Sequence, residues 1–514
     1  MAAPTRDLSS GQEASSAHER DATDRLGSID RSKLNQIDQA KPGAMELFLD
    51  PGDHRSLTVQ LYDQLREAIA DGRLPPGARL QPSRAVAEKL AIARSTVTDA
   101  YARLTAEGLV EGRRGGGSIV TGGACVEPSP AATRTALTPS PEAAAIRRYG
   151  SDLATPARYD LKAGRVDARL FPLADWRRCA NRALAGLGDG LGSYGDPTGS
   201  PELRQALTRW VAQSRGVVAT PEQVVVTHGA AHAVDLLARV LLRPGEVAAV
   251  EEPGYPPVAN LLRTLGVQVA GVPVDEHGLV VDALPGNARL VHVTPSHQYP
   301  LGVVLSRERR LGLLRWANRH GAAVIEDDYD SEFRYTARPL EPLHRLDRDG
   351  RVIYVGTFSK ILSPALRTGF AVVPTGLVPA VAAVRESVDV GPSPFITAAL
   401  TTFIDEGYLG RHLRRAGRVY AERHRAVWSA VTRHAGPRFR PLPAQAGLHL
   451  ALLTPGAPDD DELAARAARR ELLLSRLRLS YQFSEPRAGI VVGFGAIATP
   501  DVPRAISLLR DCLG

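Results

Sequence analysis

The sequence predicts an α/β body preceded by a small winged helix-turn-helix. Three observations carry this. From residue 156 onward, apolar strand-like runs alternate with helical patterns, the mark of a mostly parallel sheet with crossover helices. Ahead of the body, two helical patterns stand three residues apart and lead into a basic, glycine-rich loop. Between the two regions lies a stretch rich in Ala, Pro, Ser and Thr, which reads as a partly stiff connector.

Residues 1–44 have almost no apolar periodicity, so a disordered tail is expected there. The small domain is expected over residues 45–122. Leu57, Leu61, Leu65, Ala68 and Ile69 fall at helical spacing, and Asp71-Gly72 stops the pattern. Ser83 is placed to cap a short helix ending at Leu90. After the tight connection Ala91-Ile92-Ala93, Ser95 is placed to cap a second helix with Val97, Ala100, Tyr101 and Leu104 on one face. Two helices joined this way form a unit whose second helix enters the DNA major groove. At its start stand Arg94, Ser95 and Thr96. An Arg grips guanine edges through two bonds, and hydroxyls take phosphates. Arg84 begins the first helix, and Arg113 and Arg114 sit in the expected wing, which continues through Gly115.

Charge does not decide the partner. Lys+Arg balance Asp+Glu at 10 each in residues 45–122, and the excess lies in residues 156–514, with 44 against 36. A DNA argument therefore rests on where charges point. The three cysteines, Cys125, Cys179 and Cys512, have no metal-ligand spacing. No apolar run reaches the ~18 residues of a membrane span. A cytoplasmic protein without a structural metal or a membrane segment is expected.

Residues 123–155 form the connector, with a short helix expected at Glu142–Arg148. In the body, strands are expected at 224–226, 247–250, 267–272, 290–293, 322–325 and 352–355, and helices at 230–242 and 307–319. Ligands of such sheets sit beyond the strands' C-terminal ends. One strand end there presents Lys360. Only five of the chain's 63 basic residues are Lys. A guanidinium stays charged, whereas an amine can lose a proton and attack a carbonyl. The neighbouring strand ends in Glu326-Asp-Asp-Tyr-Asp330, and Arg367 follows seven residues after Lys360. A pyridoxal phosphate site needs an amine, a carboxylate for the pyridine nitrogen, a donor for the ring hydroxyl and a cation for the phosphate. Lys360, Asp327, Tyr329 and Arg367 supply them in that order. Thr227-His-Gly-Ala-Ala231 opens a helix, so the amides of Gly229, Ala230 and Ala231 suit a phosphate. Thr357 and Ser359 add hydroxyls, and Tyr255 is placed to stack on a ring. His297 reads as a polar loop residue.

Residues 57–120 resemble the GntR-type DNA-binding domain through Gly72-Arg-Leu-Pro-Pro-Gly-Ala-Arg-Leu80, Pro82-Ser-Arg84, Ser95-Thr-Val97, Tyr101-Ala-Arg-Leu104 and Glu107-Gly-Leu109. The resemblance implies that Arg84, Arg94, Ser95, Thr96 and the wing glycines touch an operator. The body resembles the type I fold of pyridoxal-phosphate-dependent transferases, the aspartate aminotransferase fold. With Asp327-Asp-Tyr-Asp-Ser-Glu-Phe333, Thr294-Pro-Ser-His-Gln298 and Gly356-Thr-Phe-Ser-Lys360, the whole chain resembles MocR-type regulators, the group that includes PdxR and GabR. That implies Lys360 as the Schiff-base lysine. It also implies Tyr194 as a tyrosine reaching the phosphate of a neighbouring subunit, in a head-to-tail, domain-swapped homodimer.

One position departs from the pattern. Amino-acid-handling members of the fold place an Arg near the C-terminus to clamp a carboxylate. In Gly489-Ile-Val-Val-Gly-Phe494 that place holds Val491, and Arg487 is off register. This favours a regulator that senses pyridoxal phosphate itself over one that senses an amine or amino acid, and over the alternative, a working aminotransferase.

Overall fold

The computed structural model describes residues 47–50, 52–113, 117–121, 137–146, 157–188, 192–335, 341–434, 438–455 and 459–513. The expected tail, most of the connector, Arg114, Gly115 and the side chain of Arg113 lie outside the described residues. The chain divides into two compact units, Met1–Leu137 and Thr138–Gly514. The division falls inside the expected connector.

The first unit holds α1 (Leu57–Ala70), α2 (Ser83–Leu90), α3 (Arg94–Ala106) and the antiparallel pair β1 (Val110–Arg113) and β2 (Gly117–Val120). Ser56 caps α1 by accepting the N–H of Val59. Ala91, at φ 52°, ends α2 in the left-handed region. The two expected serine caps differ from what forms. Helix α2 starts on Ser83 itself and α3 starts on Arg94, so Pro82 and Ala93 occupy the cap positions without side-chain bonds. The helices begin one residue earlier than Ser83 suggests and two earlier than Ser95 suggests. Ser83 Oγ instead accepts from Arg94 Nε at 3.3 Å, tying the two helices together. Leu61, Val97, Ala100 and Leu104 are fully buried and form the centre of this core.

The second unit carries β3 (Tyr159–Leu161), β4 (Val224–Thr227), β5 (Val247–Glu252), β6 (Gln268–Asp275), β7 (Gly278–Leu279), β8 (Ala288–Val293), β9 (Ala323–Asp328), β10 (Val352–Thr357), β11 (Gly369–Val372), β12 (Arg440–Pro441), β13 (His449–Leu453), β14 (Leu472–Arg476) and β15 (Gly489–Gly493). Among the described residues, the larger sheet has the order β4-β11-β10-β9-β8-β5-β6-β7. The ladder from β10 through β9, β8 and β5 to β6 is parallel, and β11 runs antiparallel to both β10 and β4. Strands β4 and β10 are buried at every position, as expected of a sheet covered on both faces. Helices such as Ala230–Leu241 and Arg307–His320 provide the crossovers. The smaller sheet has the order β12-β13-β15-β14-β3. Its strand β3 comes from the start of the unit, and the rest from the C-terminal part. A short helix, Pro141–Ala145, lies within the described part of the connector, residues 137–146, and is capped at Ile146, short of the expected Arg148. No helix among the described residues is long and apolar enough to cross a membrane.

Replacing Leu104 with Ala leaves a cavity in the small core and is expected to destabilise that unit by about 2–5 kcal/mol. A denaturant titration following the unit's own unfolding checks this.

Candidate functional site

The C-terminal ends of β4, β5, β8, β9 and β10 open on one cleft of about 1140 Å³. Lys360 lines it, carried by the helical turn Phe358–Ile361 directly after β10. Its Nζ donates to the carbonyl of Gly164 at 2.7 Å. Burial pushes its pKa below the usual lysine value, while Asp330 and Asp327 pull it back up. The amine is thus brought closer to its neutral, nucleophilic form.

Asp327, next to last in β9, is 6% exposed. Its Oδ1 is buried without a protein partner, and His292 Nε2 stands 3.4 Å from its Oδ2. Tyr329 also lines the cleft. Its hydroxyl donates to the carbonyl of His297 at 2.8 Å. Burial, with Asp330 beside it, holds the phenol well above its usual pKa, so the proton stays on.

A cup forms at the start of helix Ala230–Leu241. Gly229 has φ +102°, and a Cβ there would stand 3.7 Å from Thr357 Oγ1 and 3.8 Å from both Arg367 NH2 and Ser359 Oγ. Gly229, Ala230, Ala231, Thr357, Ser359 and Arg367 all line the cleft. Arg367 donates to the carbonyl of His228 at 2.9 Å. Its backbone sits at φ +45°, a conformation uncommon for a side chain of this size. Such strain persists only where the surroundings impose it, and here it turns the guanidinium into the cup. Tyr255, at the head of helix Pro256–Thr264, meets Tyr299 edge-on at 5.5 Å between ring centroids.

The structure thus brings together every cofactor residue expected from the sequence except Tyr194. That residue is 80% exposed and does not line the cleft of its own chain. In the first unit, Arg84, Arg94 and Ser95 are exposed and Thr96 is half-buried, all at the starts of α2 and α3.

Other residues of the site were not expected. His297 lies in the loop after β8, as read from the sequence, but it is buried and paired there. Its Nδ1 bonds Asp330 at 3.0 Å. A carboxylate only accepts, so Nδ1 carries the proton. Gly447 permits this packing, since a Cβ there would lie 2.0 Å from the imidazole. His449 lines the cleft from β13, its Nε2 3.2 Å from the carbonyl of Pro300. Burial, then His297 and Lys360, push its pKa well below the usual value, so it is neutral. A lone histidine in the apolar run Leu448-His-Leu-Ala-Leu-Leu453 was the available signal. Glu251, with its carboxyl pushed up to about 7 by burial, accepts the Thr294 hydroxyl at 2.5 Å.

Comparison with known proteins places this site in context. The aminotransferase class I and II family matches residues 160–483, and the bacterial gntR regulatory family matches residues 57–120. The chain is 36% identical to the probable rhizopine catabolism regulatory protein MocR of Rhizobium meliloti, over 90% of this chain and 95% of that one. It is 32% identical to the pyridoxine biosynthesis transcriptional regulator PdxR of Corynebacterium glutamicum, over 88% and 95%. Among solved structures, it is similar to LysN, the α-aminoadipate aminotransferase of Thermus thermophilus, complexed with N-(5'-phosphopyridoxyl)-L-leucine. That likeness has a TM-score of 0.66 and 25% identity, over 72% of this chain and 96% of that one. The aminotransferase fold implies dependence on pyridoxal phosphate. The donor set fits this group: a buried amine, an unpartnered buried carboxylate oxygen and a glycine-centred cup of hydroxyls and a guanidinium. With a gntR-type DNA-binding unit and an aminotransferase-like body on one chain, the protein belongs to the MocR-type family of helix-turn-helix transcriptional regulators.

Proposed function

We propose that the cleft binds pyridoxal phosphate through Lys360 and that the chain reports this binding by changing its grip on operator DNA. The observation that carries the reading is the placement of Lys360 Nζ and the unpartnered Asp327 Oδ1 in one cleft with the Gly229 cup. When bound, the cofactor supplies an aldehyde that captures the amine and a ring that withdraws electrons. Asp327 holds a proton at the pyridine nitrogen. Arg367, Thr357, Ser359 and the amides of Gly229, Ala230 and Ala231 hold the phosphate. Tyr255 covers a ring face. Tyr329 faces the ring oxygen, once its hydroxyl exchanges the His297 carbonyl for the ligand. Tyr194 serves the cleft of a second copy in a head-to-tail, domain-swapped homodimer, which accounts for its exposure.

Arg84, Arg94, Ser95, Thr96 and the wing residues Arg113, Arg114 and Gly115 contact the operator. The working division is a tail at 1–44, the reader at 45–122, a linker at 123–155 and the sensor at 156–514. Only differential affinity of the ligand for two arrangements can shift DNA binding.

Val491 supports sensing of the vitamer over transamination. It lies 1% exposed in β15, opposite Ala451 and Ser475, in an apolar cluster with Leu301 and Leu477. It offers no charge to a carboxylate.

Lys360→Ala is expected to abolish the bound cofactor's absorbance and its fixation by borohydride, while DNA binding persists without response to the vitamer. Rapid turnover of common amino acids with 2-oxoglutarate by the native chain would favour the aminotransferase reading instead. Because burial lowers the pKa of Lys360, the rate of vitamer uptake is expected to rise with pH and level off before the ordinary lysine pKa of 10.5. Stopped-flow absorbance across pH checks this. Arg94→Ala is expected to weaken specific operator binding by about 1–3 kcal/mol, measured against a scrambled duplex.

A further inference from the structure

Strand β5 ends in two acids that face different ways. Glu251 bonds Thr294, whereas Glu252 reaches the loop that follows the turn Leu477–Ser480 after β14. One oxygen of Glu252, Oε1, accepts four bonds. They come from the N–H of Gln482 at 2.9 Å, of Phe483 at 3.0 Å and of Ser484 at 3.1 Å, and from the Ser484 hydroxyl at 3.0 Å. Glu252 is 6% exposed. Successive amides converging on one anion form a nest, and bonds to a charged acceptor are the strong ones.

Strand β5 belongs to the larger sheet, and the loop belongs to the smaller one. Further ties hold the loop against the larger sheet's side. Gly254 N–H donates to the Ser480 carbonyl at 3.0 Å. The guanidinium of Arg263 lies 5.0 Å from the centre of the Phe483 ring and bonds Gln482. Phe483 covers Gly271 of β6 so closely that a Cβ there would stand 2.4 Å from the ring. The same loop supplies Tyr481 and Gln482 to the cleft wall.

We infer that Glu252 is the latch of the cleft: it holds the Gln482–Ser484 loop across the two sheets and thereby sets how readily a bound ligand escapes. The inference deepens the proposal that the cleft takes pyridoxal phosphate, and rests on it. Glu252 touches the loop's backbone, not the ligand, so it is a positioning residue. Removing the carboxylate leaves three amides and the Ser484 hydroxyl without their acceptor. Freed from it, the wall carrying Tyr481 and Gln482 opens more often.

The test uses the full chain with Glu252→Ala and Glu252→Gln. The glutamine keeps one accepting oxygen without the charge. In the ligand-free chain, amide hydrogen exchange at residues 482–484 is expected to accelerate roughly tenfold or more in the alanine variant and less in the glutamine variant. Exchange in β9 and β10 stays as in the native chain. In the loaded chain, loss of pyridoxal phosphate on dialysis is expected to accelerate in the same order. Faster exchange with unchanged release would overturn the latch, leaving a purely structural contact. Unchanged exchange would overturn it as well. Should Glu252→Ala fail to fold, the glutamine variant carries both readouts. A native chain that takes up no pyridoxal phosphate would overturn the cofactor reading and the inference with it, and normal exchange protection at 482–484 would distinguish that failure from loss of the contact.

Discussion

The parallel pairing of β9 with β10 governs the arrangement of the site. Its register sets Asp327 opposite Val355 and Asp328 opposite Gly356. Side chains alternate along a strand, so a slip by one residue would turn Asp327 away from the cleft. Asp327 serves the cleft. Asp328 turns the other way and accepts from Arg215 Nε at 2.7 Å and from the Tyr354 hydroxyl at 2.9 Å. Burial opposes its charge most strongly, but Arg215 and the Tyr354 hydroxyl together outweigh this and hold the carboxyl below the usual range. A slipped register would leave the buried Arg215 uncompensated, which is a heavy cost. The ion pair behind the site thus fixes the acid in front of it.

The cleft is completed by parts of the chain far apart in sequence. Gly164 follows β3, Lys360 follows β10, His449 begins β13 and Ser475 lies in β14. The two sheets meet along this line. The body must therefore fold as a whole before the amine meets its acids, and the site is a product of the tertiary fold rather than of one motif. The small unit is different: its helices and wing close a core of their own.

Much of this was legible from local pattern. Strand-to-helix alternation located the ends of β4, β5, β8, β9 and β10, and ligand groups of such sheets stand at strand ends. Lys360, Asp327 and Gly229 followed directly. Element edges were less legible, as Ser83 and Ser95 show: a hydroxyl marks a helix start only to within one or two residues. The partners of side chains were not legible. The burial of His297 within its loop gave no signal, because Asp330 and Gly447 lie 33 and 150 positions away. The bonds of Glu252 have no local signal either, since its amides begin 230 positions later. The direction of the Tyr329 proton depends on a backbone carbonyl, which no residue type announces.

Gly447 shows how far this interlocking reaches. Its φ of +84° and its contact with the imidazole leave no space for even a methyl group. Any replacement would evict His297 from Asp330, and with it the carbonyl that receives the Tyr329 hydroxyl. In a saturation screen scored by loss of regulation, this position would register alongside the ligand-contacting residues while contacting no ligand itself. Its intolerance would mark a steric keystone, not a further point of chemical recognition.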